Sequence, residues 1–120
     1  MNHQGTVADD EVLHRRIHSS FRRPDGRMSS QAFRDPELSA DRAILRSVQE
    51  TMNGFEGFGL ASLTAQDARM NGQDVVPEPD IFNPAHAIVR GNKTKSIARA
   101  LARAAAWVIS LPPGYGAASA

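Results

Sequence analysis

The patterned part of the chain opens with VLHRRI, residues 12–17, where apolar and polar positions alternate. Period two predicts a strand with Leu13, Arg15 and Ile17 on one face and Val12, His14, Arg16 and His18 on the other. The first face is the core-like one, although it carries an arginine between two aliphatics. Pro24-Asp25-Gly26 marks a turn, and RMSSQAF after it suits a second short strand or an ordered loop. LSADRAILRSVQETMNG predicts a helix, because Ile44, Leu45, Val48 and Met52 recur at helical spacing. Ser39 is its expected N-cap, Asp41 favours the positive helix start, and Asn53-Gly54 is its stop. GFGLASLT predicts a strand. TAQDARMNG predicts a short helix capped by Thr64, with Asp67 at the capping-box position. QDVVP predicts a short strand, and PEPDIFNP is a proline-rich loop.

AHAIVR predicts a further strand, with His86, Ile88 and Arg90 facing one way and Ala85, Ala87 and Val89 the other. KTKSIARALARAAAWVI predicts a long terminal helix with Ile97, Leu101, Ala104, Ala105 and Val108 as its buried stripe. Phe58 and Trp107 are expected in the core. This order predicts an α+β fold, a small mixed or antiparallel sheet with about three helices packed on it. Residues 1–10 are expected to be a flexible N-terminus, 11–109 a single domain and 110–120 a flexible tail.

Length and composition agree with that picture. A chain of 120 residues has room for one domain. Hydrophobic content of 41% and charged content of 22% fall in the globular range. There is no cysteine, which removes disulfide and thiolate chemistry and suits a cytoplasmic location. No apolar run approaches the roughly 18 residues of a membrane span, so no membrane partner is expected. The N-terminus lacks the apolar segment of a signal peptide.

Charge is what changes the picture. Residues 1–80 hold nine basic and thirteen acidic side chains, whereas residues 81–120 hold five basic and no acidic ones. Lys95, Arg99 and Arg103 recur every four residues and form one cationic stripe on the last helix. Such a stripe suits an acidic partner surface, a phosphate or nucleic acid, or it neutralises the acidic remainder of the same domain.

Candidate chemistry gathers at few residues. RGNKTKS lacks the upstream glycine of a phosphate loop, and Asn92 separates Gly91 from Lys93, which excludes a nucleoside-triphosphatase motif. Lys93 and Thr94 still offer donors at a helix start, for an anion or simply as caps. Arg15, on an apolar face, must pair with an acid such as Asp35, Glu37 or Asp41, or bind an anion. Ser29 and Ser30 are candidate donors to the same ligand. His86 is a candidate general base beside Ser30, or a structural histidine bonded to loop backbone. His14 and His18 lie about 13 Å apart on a strand, too far for one ion. Neither a metal nor a cofactor is expected.

LHRRI, GRMSSQAF, LSADRA, FGLASL, NPAHAIVRG and KTKSIARALA, within residues 12 to 106, resemble a family of small bacterial proteins without an established activity. The resemblance implies a bacterial cytoplasmic protein and no mechanism. A second resemblance, to ADP-ribosyltransferase-type domains, rests on Arg15 in the first strand and Ser29-Ser30 after it. Those domains carry an acid late in the fold, and here no acid follows Asp80. The expected function is therefore an accessory or partner-binding module. The alternatives are a small enzyme domain for a nucleotide or other phosphate ligand using Arg15, Ser29, Ser30, His86, Lys93 and Thr94, or nucleic-acid binding through Lys95, Arg99 and Arg103.

Overall fold

Alternation in the first patterned segment does make a strand. In the computed structural model, which describes residues 5–111, β1 is Val12–Ile17. Its partners are β2 (Glu37–Arg42) and β3 (Gly59–Thr64), both antiparallel. The sheet is completed by β4 (Asp74–Pro77), β5 (His86–Arg90) and β6 (Ala106–Ile109). All six strands form one antiparallel sheet in the order β4-β5-β2-β1-β3-β6. Three short helices complete the α+β fold: α1 (Val48–Met52), α2 (Ala65–Met70) and α3 (Lys95–Ala104). Residues 1–4 and 112–120, which include most of the expected flexible tail, lie outside the described residues.

One face of the sheet is the core face. Leu13 and Ile17 lie on it with Leu38, Ala40, Leu63 and Val89, all buried. Phe33, Ala65, Ala68, Ala98 and Leu101 join the same cluster from the helical segments. Arg42 also points to this side at 1% exposure. Its Nε donates to Glu11 Oε1 at 2.7 Å, and its Nη2 to Glu11 Oε2 and the Thr6 carbonyl, each at 2.9 Å. A buried guanidinium stays charged, so a fork this complete is what makes it tolerable. The same contacts tie residues 6–11 to the sheet. Arg69 adds to this, donating to the Val7 carbonyl.

The opposite face is polar. His14 and Asp41 are register partners, as are Asp41 and His86, and His14 and Ser62. A row of polar side chains therefore crosses four strands, and α1 covers part of it.

The structure differs from the expectations at several elements. The helix predicted from Ser39 onward begins eight residues later. Glu37–Arg42 is a strand, because Leu38 and Ala40 alternate into the core while Ser39 and Asp41 face the polar side. Ser47 is the real N-cap, with Glu50 closing a full capping box, and Ile44, expected on the apolar face of that helix, is 55% exposed. RMSSQAF takes the ordered-loop alternative rather than the strand: Ser30–Phe33 is a 3-10 turn, with Met28 in a bridge to Arg22. The long C-terminal helix is ten residues only. Ala105 turns extended (φ −74°, ψ 149°) and the chain re-enters the sheet as β6 against β3. Gly59 makes that possible, since a Cβ there would meet the Trp107 ring at 2.7 Å. Trp107 and Phe58, expected in the core, are both half-buried.

Candidate functional site: an arginine cleft

The turn Arg23-Pro-Asp-Gly-Arg27 folds back on itself, Gly26 taking φ 86° and its N–H donating to the Arg23 carbonyl. Trp107 locks the turn to β6, its Nε1 donating to the Gly26 carbonyl at 3.1 Å. This brings the turn against the outer side of α3. Thr94 caps α3, accepting from the Ile97 N–H, and Ala98 and Leu101 face the core. Arg99 and Arg103, one helical turn apart, then project toward the turn.

Between these parts lies an open cleft of about 710 Å³ lined by Arg23, Arg27, Arg99, Arg103, Ser30, Met28 and Trp107 among others. Four guanidiniums line it and no carboxylate does. Asp25 is the nearest acid in the turn. It lies 3.7 Å from Arg23 and 4.0 Å from Arg27, and all three side chains are largely exposed. Ion pairs that long and that wet hold little. Among the described residues Arg99 and Arg103 make no ion pair or side-chain hydrogen bond. The cleft therefore presents concentrated positive charge above a Met28 and Trp107 wall.

The expected site residues do not converge on one place. Ser30, Arg99 and Arg103 meet in the cleft. Arg15 does not join them: it sits on the core face, where its Nη1 donates to the Ser39 carbonyl at 3.2 Å and its Nε is buried without a partner. Burial pushes its guanidinium below the ordinary value, with Asp35 opposing. His86 lies across the sheet, on the polar face. Its ring contacts Ser39 and Glu78 rather than Ser30.

The donors expected at the RGNKTKS turn are already engaged. Lys93 is buried at 4% exposure, its Nζ donating to the Val89 carbonyl at 2.7 Å and the Gly91 carbonyl at 3.2 Å. Burial pushes this ammonium below its ordinary value, with Asp35 and Glu37 opposing. Thr94 is the N-cap and Ser29 caps the 3-10 turn by accepting from the Gln31 N–H. Lys95 is exposed in the first turn of α3, outside the cleft.

Sequence reasoning missed Arg23, Arg27 and Trp107. The turn dipeptides around Asp25 were a signal for local geometry only. That the turn faces α3 is set by Trp107, whose strand was read as helix.

The polar face forms a second cluster. Asp41, 2% exposed, accepts from Asn83 Nδ2 at 2.8 Å, Thr51 Oγ1 at 3.0 Å, Arg46 Nη1 at 3.1 Å and Arg16 Nη2 at 3.4 Å. Arg16 also donates to the Thr51 carbonyl and stacks on Phe55 at 4.0 Å. This carboxylate ties α1 and the 83–85 turn to β1 and β2, with three of the donors reaching Oδ2 and Asn83 reaching Oδ1. His14 beside it is buried with Nδ1 unpartnered, and burial pushes its imidazole below the ordinary value, Asp41 opposing. Among the described residues no group of histidines and acids is arranged to hold a metal, and no helix is long and apolar enough to cross a membrane. No family model, curated protein or solved structure matches the chain.

Proposed function

We propose that this protein is a binding module whose ligand is a phosphate-bearing molecule of about nucleotide size, free or carried by a larger partner. The observation that carries the reading is the carboxylate-free lining of the cleft, with four arginines and one serine hydroxyl. Planar guanidiniums match phosphate oxygens two at a time, and two of the four are not engaged by an acid. A volume near 710 Å³ falls within the roughly 300–1,000 Å³ of small-molecule sites. Trp107 and Met28 offer an apolar wall against which a base or other flat group can lie. Guanidiniums only donate hydrogen bonds and a lone hydroxyl is a poor base, so the cleft's own groups are suited to binding.

Isothermal titration with ATP and with inorganic triphosphate tests this. Both should bind, and raising the salt should weaken both. The double variant Arg99→Glu/Arg103→Glu alters exposed helix positions and should fold, yet lose affinity by at least about 100-fold. Absence of binding by either compound, or equal binding by the variant, overturns the proposal.

A further inference from the structure

On the face of the sheet away from α3, we propose that Ser39 is an activated nucleophile, with His86 as its general base, able to attack a carboxylic ester. Ser39 and His86 lie on adjacent strands, Ser39 opposite Ile88 and His86 opposite Asp41. The imidazole leans diagonally along the sheet, which brings Nε2 to 2.8 Å from Ser39 Oγ. Its other nitrogen, Nδ1, lies 3.1 Å from the Glu78 carbonyl. A carbonyl oxygen only accepts, so Nδ1 carries the hydrogen in the neutral ring. Nε2 is then the bare acceptor, and the Ser39 hydroxyl donates to it. That is the polarity a serine nucleophile requires of its base.

A third group stands behind the ring. Glu78 Oε1 is 3.8 Å from Nδ1, and Glu78 Oε2 is 3.7 Å from Arg90 Nη2. The carboxylate is placed to stabilise an imidazolium once Nε2 has taken the serine proton. The pair is also reachable, with the His86 side chain 23% exposed and Ser39 half-buried. It borders the Asp41 cluster, which fixes β2 and the turn before β5 through Asn83. The dyad therefore sits beside a hydrogen-bonded cluster of the fold.

The step balances without an added redox partner. Ser39 Oγ bonds to the ester carbonyl carbon as its proton moves to Nε2. The bond from that carbon to the alcohol oxygen breaks, and Nε2 returns the proton to the leaving alcohol. Water, deprotonated by the same nitrogen, then releases the acid and restores Ser39. This inference is independent of the arginine cleft.

The test is labelling of the full chain by a fluorophosphonate, in which the serine oxygen bonds to phosphorus and fluoride leaves, followed by peptide mapping. Ser39 should carry the label. Ser39→Ala, which removes one hydroxyl from a half-buried position, should abolish it. His86→Gln should slow labelling by at least about 100-fold, and Glu78→Gln by a smaller factor, in chains whose circular dichroism is unchanged. An unlabelled wild-type chain, a label on another serine, or a rate indifferent to His86→Gln overturns the proposal. The wild-type measurement decides the question even if a variant misfolds.

Discussion

Asp41→Ala should be among the most damaging single substitutions on the polar face. The carboxylate is 2% exposed and accepts from four side chains. Two of these, Thr51 Oγ1 and Asn83 Nδ2, would lose their acceptor in or near the interior, at about 1–3 kcal/mol each. Arg16 and Arg46 have side chains 24% and 23% exposed, so water recovers part of their loss, leaving about 0–1 kcal/mol each. The total comes to about 2–8 kcal/mol, a range that brackets the roughly 3–5 kcal/mol of breaking a buried ion pair. Most small domains have only about 5–15 kcal/mol in all, so the variant should unfold at a much lower urea concentration with an unchanged slope. Asp41→Asn keeps the volume and one acceptor oxygen, and should cost clearly less. Arg46→Ala should cost less still, since it leaves three of the four donors in place. A loss under about 1 kcal/mol for Asp41→Ala, or an equal loss for Arg46→Ala, would refute the claim that Asp41 is the hub.

Other outcomes follow from single positions. Gly59→Ala should destabilise by about 1–3 kcal/mol, because the new Cβ would meet Trp107 at 2.7 Å and the Ile109 carbonyl at 3.0 Å; the fluorescence of Trp107 should shift to the red as β6 loosens. His14 is held below its ordinary protonation range by burial, so the unfolded chain takes up its proton first. Stability from this group is full above the ordinary imidazole range and falls as pH drops through the folded-state value. His14→Leu should therefore flatten the acid side of the stability profile, measured by urea midpoints between about pH 8 and pH 5. Arg42→Met should remove the tie between β2 and Glu11, and proteolysis should then reach the 6–11 segment at lower protease concentration.

How much of this the chain announced depends on the range of the interactions involved. β1, β3, β4 and β5 were legible because each alternates, or runs apolar, over its own length. α2 was legible from Thr64 and its cap. The β2 strand was not. Ser39, Asp41 and the spaced aliphatics after them satisfy local helix rules, and only distant partners decide otherwise. Arg42 finds Glu11, and Asp41 finds Arg16 and Asn83. β6 failed for a related reason. An alanine run predicts continued helix, yet Trp107 has a vacancy over Gly59 that rewards pairing with β3. The candidate site suffered accordingly. Arg99, Arg103 and Ser30 were identified by charge and chemistry, but Arg23 and Arg27 join them only through the Trp107 bond to Gly26. Lys93, a candidate donor at a helix start, is instead engaged by the backbone of its own turn.

The arginine cleft is the central claim, and the chain carries its own reporter, since its single tryptophan lines that cleft. Titration of the intact protein with inorganic triphosphate, which does not absorb near the emission, should change Trp107 fluorescence saturably. The change should weaken with added salt and vanish in Arg99→Glu/Arg103→Glu. Fluorescence that stays flat across the titration, or that responds identically in the variant, would contradict the assignment of this cleft to a phosphate-bearing ligand.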